Sequence, residues 1–252
     1  MQIKVIYEDK DLLVINKPAG LIVHGVRGKH FREGNQKEEE TLVDWLIKRH
    51  PEIKDVHDST SHTGQVNPED RAGIVHRLDR ETSGIMVIPK NKETFAYLKE
   101  LFQTREVKKT YLALVWGKVE PENGIIEKPI GIKDGTIKRT VHVKNARMVR
   151  EAVTEYKVKK HLKIKVDGKA EDFTLVELSP KTGRTHQIRV HMASIGHPLV
   201  GDSLYGGKKA DLGLKRHFLH AESIEFTKVD GKRLKIAADL PSELQAILEV
   251  KN

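Results

Sequence analysis

The sequence contains no cysteine among its 252 residues. This absence excludes disulfides, thiolate nucleophiles and zinc sites built on cysteine, and it fits a reducing compartment. Long apolar runs are missing too. Residues 1–10 include acidic side chains where a signal peptide needs an apolar core, and no later stretch approaches the roughly 20 apolar residues of a membrane span. We therefore expect a soluble, cytoplasmic protein that does not enter a membrane.

Basic residues are abundant: 45 Lys and Arg against 36 Asp and Glu give a net charge of +9. Such a balance favours a polyanionic partner, although ordinary soluble proteins are often basic as well. With 38% hydrophobic residues, the chain can bury a sizeable core. We expect one domain over residues 1–252, in which residues 25–70, rich in glycine and charge, form a loop and helix insertion.

The hydrophobic pattern predicts few helices and many strands. Thr41 is the expected N-cap of a helix that ends before Pro51, and Asn91 that of a second helix. Further helices are expected over residues 185–195 and 241–250. Strands are expected at residues 3–7, 12–15, 85–88 and 110–116, and turn signals at 122–124, 133–135 and 167–168 indicate hairpins up to residue 180. Because strands and helices do not alternate regularly, the fold class is α+β with a mixed, largely antiparallel sheet.

The segment over residues 74–84 places charge among apolar residues. Asp79 stands between Arg77 and Arg80, and a Thr-Ser-Gly run follows. The pattern suggests a strand leading into a turn that projects the Asp79 carboxylate. The alternative is a surface loop with local ion pairs, which are common and individually worth little.

Two more segments carry unusual charge. Tyr111 lies beside Lys109 at a strand entrance, where an aromatic ring can stack on a base while a lysine meets phosphate; a half-buried core tyrosine is the alternative. In the predicted helix over 185–195, His186 and Arg189 lie near the N-terminal end, where cations do not complement the helix dipole. This placement indicates a partner anion, and a solvated basic face is the alternative.

The same predicted helix has an apolar side, but its histidines are poorly spaced for binding a metal ion. Ile188 and Met192, four residues apart, should point together toward the core or a pocket. His186 and His191 are five residues apart, which aligns two ligands poorly on a helix, and no suitable carboxylate accompanies them. We therefore expect no metal site here.

Together these segments resemble the RluA-type pseudouridine synthases. The resemblance covers most of residues 1–226. The matching segments are Asn16-Lys17-Pro18-Ala19-Gly20, the His76-Arg77-Leu78-Asp79 run with Thr82-Ser83-Gly84, Lys109 with Tyr111, Thr182 to Arg189, then Gly196, Pro198, Gly201-Asp202 and Tyr205-Gly206.

The resemblance implies roles for particular residues. Asp79 matches the family's essential aspartate, Tyr111 its active-site tyrosine against the target base, and Arg189 the arginine that pairs with the aspartate. Ile188 falls at the apolar position beneath the base, and Arg77 near the space left by the extruded nucleotide. The other residues expected to contact the substrate are His76, Lys109, Arg184 and His186.

The implied activity is the isomerisation of specific uridines to pseudouridine in structured RNA, ribosomal or transfer. The reaction involves no redox change and no net hydrolysis, so we expect neither cofactor nor metal. Two alternatives stay open: a catalytically silent RNA-binding or ribosome-assembly protein, and a hydrolase that uses Asp79 with His76 and releases uracil. We expect a monomer. Many relatives acting on large ribosomal RNA carry an S4-like domain before the catalytic one, and none is expected here, because the matching segments begin close to Met1.

Overall fold

The computed structural model describes residues 3–25, 40–57, 71–206 and 212–249. The chain forms two compact units. Unit 1 comprises Met1–Val107 and Phe226–Leu234, and unit 2 comprises Lys108–Glu225 and Lys235–Asn252.

Unit 1 contains a three-stranded antiparallel sheet in the order β1-β2-β3, with two helices. Both helices begin where the sequence predicts. The side-chain oxygens of Thr41 and Asn91 cap them, each accepting a hydrogen bond from the backbone N–H three residues later. All seven residues of β3 are buried, as its apolar composition requires. The elements are β1 (Lys4–Glu8), β2 (Leu12–Lys17), α1 (Leu42–Arg49), a 3-10 helix (Pro51–Asp55), β3 (Ser83–Pro89) and α2 (Lys92–Thr104).

Unit 2 contains a large antiparallel sheet and a small one. The elements are β4 (Lys108–Trp116), β5 (Asn123–Glu127), β6 (Ile130–Lys133), β7 (Arg139–Thr140), a 3-10 helix (Val143–Asn145), β8 (Ala146–Arg150), β9 (Val153–Val166), β10 (Lys169–Pro180), α3 (Gln187–Ser194), β11 (Leu219–Thr227, whose last two residues belong to unit 1), β12 (Arg233–Ala237, whose first two also do) and α4 (Ser242–Leu248). The large sheet has the order β11-β4-β10-β9-β5 and β12 pairs with β11, whereas the small sheet has the order β7-β6-β8.

The two faces of the large sheet pack against different helices. Ala113 of β4 lies in one core cluster with Ile188 and Met192 of α3, while the next residue, Leu114, lies in another cluster with Leu244 of α4. Successive side chains of a strand point to opposite faces. The α3 face therefore receives the odd-numbered residues of this part of β4, and the α4 face the even-numbered ones.

The predicted α+β class is confirmed, as are most elements. The hairpin at residues 167–168 is a two-residue turn in which Asp167 and Gly168 both have positive φ, 49° and 80°, the geometry that suits tight hairpins. The predicted turn at 122–124 is wrong, because Asn123 and Gly124 belong to β5. Gly124 is tolerated within the strand because the ring of Tyr156 occupies the space of a side chain: an added Cβ would lie 2.7 Å from the tyrosine oxygen.

Two other local predictions are corrected. Residues 74–82 form no strand leading into Asp79; the turn comes first and β3 follows it. The third helix begins at Gln187 rather than at residue 185, because His186 adopts a left-handed backbone conformation with φ of 57°. The expected 25–70 insertion falls partly on residues 26–39 and 58–70, which lie outside the described residues. One domain over 1–252 stays a prediction. Among the helices of the described ranges, none combines the length and the apolar character needed to cross a membrane.

Candidate active site

Asp79 lies half-buried in a turn that opens into β3. The turn is closed by a hydrogen bond of 3.0 Å from the backbone N–H of Thr82 to the carbonyl oxygen of Asp79. Leu78 before it, and Thr82 and Ser83 after it, are buried. The backbone on both sides of the carboxylate is therefore anchored.

Lys17 provides a second anchor for this turn. Its side chain is fully buried, and its ammonium donates to the carbonyl oxygens of Pro18, Leu21 and Arg80 at 2.8, 3.0 and 3.0 Å. A buried ammonium requires such partners, because its three N–H groups have lost their water. Since Arg80 directly follows Asp79, Lys17 fixes the backbone beside the carboxylate.

His76 and Arg77 differ in how they are held. Nε2 of His76 accepts a hydrogen bond of 2.9 Å from the backbone N–H of Val87, and the ring stacks on Phe102 with centroids 4.6 Å apart. His76 thus ties the segment to β3 and α2. Arg77 is exposed, and its Nη1 lies 3.2 Å from Nε2 of the buried His24.

Lys109 and Tyr111 lie two residues apart on β4 and so share one face of the strand. Tyr111 is half-buried and packs against the core cluster that contains Ile188. Burial lowers the pKa of Lys109 from 10.5 to about 8. A lysine with this pKa changes charge near the physiological range.

Arg189 is held by a carboxylate of its own unit. Its Nε and Nη2 donate to Oδ2 and Oδ1 of Asp202 at 2.7 and 2.9 Å, a two-point pairing between side chains that are 7% and 0% exposed. Burial by itself would raise the pKa of Asp202, but the hydrogen bonds and the charge of Arg189 hold this pKa below its usual value. Asp202 thus compensates the charge of Arg189 within the chain, while the partner anion that we expect from the basic start of α3 stays a prediction.

The turn after Asp202 completes this arrangement. Oδ1 of Asp202 accepts the backbone N–H groups of Leu204 and Tyr205 at 3.0 and 3.1 Å, and the ring of Tyr205 lies 5.2 Å from Cζ of Arg189. Asp202 and Tyr205 were part of the sequence resemblance but received no role. A buried arginine needs a carboxylate, so the Gly-Asp pair after α3 was the available signal.

Arg184 and His186 flank the start of α3. Nε of Arg184 donates to the carbonyl oxygen of Glu151 at 3.0 Å. Nδ1 of His186 lies 2.9 Å from the hydroxyl oxygen of Tyr205. The backbone of His186 is in the left-handed conformation, which histidine adopts more readily than most residues.

The predicted site residues thus form two groups. Unit 1 carries His76, Arg77 and Asp79 on one anchored segment. Unit 2 groups Tyr111 and Ile188 in one core cluster, with the Arg189 pair next to Ile188 along α3. Within the described part of the chain, no three His, Cys, Asp or Glu side chains are grouped to hold a metal ion.

The family model described as RNA pseudouridylate synthase matches residues 11–194. A ribosomal large subunit pseudouridine synthase D of Nitrosomonas europaea is 37% identical over 255 residues, covering 98% of this chain and 64% of the relative. That of Yersinia pestis is 35% identical over 257 residues, covering 97% of this chain and 69% of the relative. The chain thus spans less than two thirds of the first relative's length. The structure of human RNA pseudouridylate synthase domain containing 4 is similar with a TM-score of 0.68 and 27% identity, covering 97% of this chain and 91% of that one.

Proposed function

Because the chain belongs to the RNA pseudouridylate synthase family, we propose that it converts uridine to pseudouridine in structured RNA. The observation that carries the proposal is the family match over residues 11–194, which includes Asp79, Tyr111 and Arg189. The anchored turn around Asp79 and the buried pairing of Arg189 supply the rigid placement that such a reaction requires.

The reaction breaks the bond between N1 and C1′, rotates the uracil in place and joins C5 to C1′. C5 loses a proton and N1 gains one, so the product is an isomer and no cofactor is consumed. One ionised carboxylate is needed, as nucleophile or as base, in a site that keeps water from the intermediate. We assign this role to Asp79 and assign to Arg189 the support of its charge.

The remaining residues bind the flipped nucleotide. Extruding a uridine from stacked RNA costs a few kcal/mol, and stacking on an aromatic ring returns about 1 to 3 kcal/mol. Tyr111 supplies the ring, Ile188 the apolar surface beneath the base, and Lys109 a nearby cation. Arg77 is placed near the vacated position, with His76, Arg184 and His186 around the substrate. Because Nε2 of His76 accepts the backbone N–H of Val87, this nitrogen is already occupied and is disfavoured as the general base of a hydrolase.

Phosphate contacts are assigned chiefly to the small sheet. The exposed basic residues of the small sheet and of the segments that connect its strands are Lys133, Lys138, Lys144, Arg147 and Arg150. Of these, Arg147 pairs with Asp134 at 2.9 Å. The lysines of β9 are less suited, since Lys159 and Lys163 face Glu177 and Asp172 across the sheet at 3.3 and 3.9 Å. These carboxylates offset part of the positive charge on β9.

Large-subunit ribosomal RNA is the substrate class that we propose, because two relatives are named as ribosomal large subunit pseudouridine synthases. Transfer RNA is the alternative. The monomeric state and the cytoplasmic location stay predictions.

The test compares Asp79→Asn with Asp167→Asn, the same change at a turn position where asparagine is equally suitable. Each protein is incubated with transcribed large-subunit ribosomal RNA fragments and with transfer RNAs, and pseudouridine is mapped by carbodiimide-dependent stops in reverse transcription. Wild type and Asp167→Asn should form pseudouridine. Asp79→Asn should form none, while its RNA affinity stays within a few fold.

Each other result points to a different function. Turnover by Asp79→Asn would remove the catalytic role of this residue. Release of free uracil would identify a hydrolase, and RNA binding by wild type without product would identify a silent binding protein.

A further inference from the structure

Tyr205 makes polar and ring contacts with two parts of unit 2, β7 and the start of α3. Its hydroxyl oxygen accepts the backbone N–H of Arg139 in β7 at 3.0 Å and lies 2.9 Å from Nδ1 of His186. Its ring lies 5.2 Å from Cζ of Arg189 and meets the His186 ring edge-on, with centroids 5.8 Å apart. One side chain therefore connects the small sheet with His186, just before α3, and with Arg189 in its first turn.

The ring and Asp202 restrain Arg189 in complementary ways. The two-point pairing with Asp202 fixes one edge of the guanidinium group, at Nε and Nη2. Contacts along one edge do not prevent the planar guanidinium group from rotating about that edge. A neighbour packed against its flat face does limit this rotation. Tyr205 is within the distance at which an aromatic ring attracts a guanidinium group, so it restricts this rotation.

The hydroxyl restrains His186. Because the Tyr205 oxygen accepts the N–H of Arg139, its own proton is available for Nδ1 of His186. This bond fixes a ring whose backbone is in the uncommon left-handed conformation. A phenylalanine at position 205 would keep the ring over Arg189 and lose this bond, so the two effects are separable.

We propose that Tyr205 is a positioning residue for pseudouridine formation, whose ring orients Arg189 and whose hydroxyl orients His186 and ties both to β7. The proposal rests on the proposed function, because only in that function do Arg189 and His186 have the roles that Tyr205 would support. Tyr205 also packs against Ile130, Ala152 and Val190. A packing role must therefore be separated from a positioning role.

The experiment compares Tyr205→Phe and Tyr205→Leu with wild type and with Tyr97→Phe. The control removes a hydroxyl that donates to the carbonyl oxygen of Thr227 in unit 1 at 3.1 Å. Three quantities are measured: the single-turnover rate constant at saturating RNA, the RNA dissociation constant, and the urea midpoint of unfolding.

Tyr205→Leu should lower the rate constant about tenfold or more, because it loses the contact with the guanidinium group. Tyr205→Phe should recover most of this loss and stay about threefold below wild type, the effect of one hydrogen bond. Both variants should bind RNA within about twofold of wild type, since the phosphate contacts to which we assign most of the affinity are unchanged and the misplaced groups act in the reaction. Tyr97→Phe should match the wild-type rate.

Three results would overturn the proposal. The first is a wild-type rate for Tyr205→Phe, because the hydroxyl would then position neither His186 nor β7; if Tyr205→Leu in addition fails to fold, Tyr205 is a packing residue. The second is an equal loss of rate and of RNA affinity, which would make it a binding residue. The third is a Tyr205→Leu rate equal to that of wild type. If wild type itself forms no pseudouridine, the proposed function fails first, and that result is visible in the wild-type reaction alone.

Discussion

Arg189 and Lys109 respond to burial in opposite ways at the residue scale. Arg189 keeps its positive charge when it is buried, as arginine does in general, and Asp202 compensates this charge by pairing at two points while accepting two backbone N–H groups. For Lys109, burial lowers the pKa to about 8. The folded pKa lies below the usual value of 10.5, so the unfolded chain binds more protons between these values. The contribution of Lys109 to stability therefore rises from about pH 8 to pH 10.5.

Lys109 should also make RNA binding depend on pH. As pH rises through about 8, Lys109 loses its charge, so the RNA affinity of wild type should fall several fold if this side chain meets phosphate. Lys109→Arg keeps the charge and should flatten this dependence. The measurement is fluorescence anisotropy with labelled RNA from pH 6.5 to 9.5 at constant salt. Lys108→Arg, at the exposed neighbouring position, is the control and should keep the wild-type profile; an unchanged profile in Lys109→Arg would separate Lys109 from RNA binding.

At the scale of elements, α3 is docked by buried polar groups as well as by apolar ones. Oε1 of Gln187 accepts the Thr182 hydroxyl at 2.7 Å and the Arg184 N–H at 3.0 Å, and its Nε2 donates to Val153 and Thr154 at 2.9 Å each. These bonds hold the preceding loop against β9. They also explain why the helix begins two residues later than the sequence predicts, since the loop is fixed by distant partners.

Gln187→Leu should therefore destabilise the protein. The substitution leaves the buried partners of the amide without their hydrogen bonds, and each such loss costs about 1 to 3 kcal/mol. We expect the free energy of unfolding in urea to fall by at least about 2 kcal/mol. Gln245→Leu, at an exposed position of α4, is the matched control and should change this free energy by less than about 0.5 kcal/mol. Equal effects in the two variants would contradict the docking role of Gln187.

Local signals in the sequence predicted local structure across the whole molecule. Thr41, Asn91 and the Asp167-Gly168 turn are examples, because caps and two-residue turns depend on neighbours in the chain. The sequence did not predict that Asp202 would pair with Arg189. This pairing depends on packing between segments that are separate in the sequence.

For the candidate site, the sequence predicted which residues take part but did not predict the contacts that hold them. The resemblance predicted Asp79, Tyr111 and Arg189 as site residues, a prediction that stays open, whereas the anchoring of the Asp79 turn by Lys17 required the structure. A lysine that bonds carbonyl oxygens has no partner that can be recognised from residue type, since every residue carries a carbonyl group. Gly124 was predicted as a turn for the related reason that its filler, Tyr156, lies on another strand.

Salt dependence tests the charge distribution of the molecule. The logarithm of RNA affinity should fall linearly with the logarithm of salt concentration, and each lost phosphate contact should reduce the slope by about 1. The double variant Lys138→Gln and Lys144→Gln, in the segments that connect the strands of the small sheet, should reduce the slope by about 2. The control double variant, Lys159→Gln and Lys163→Gln, should reduce it less, because Glu177 and Asp172 already face these lysines. Equal reductions would argue against the small sheet as the main phosphate surface.

The alternation of β4 between two helical layers constrains how the gene can change. A deletion of the codon for Leu112, between Tyr111 and Ala113, would reverse the faces of the preceding residues relative to Ala113 and turn the positions of Lys109 and Tyr111 from the α3 layer to the α4 layer. An insertion or deletion of two codons would preserve the parity. Within the family, insertions and deletions in the strand that corresponds to β4 should therefore occur in steps of two residues, whereas substitutions of single residues leave the alternation unchanged.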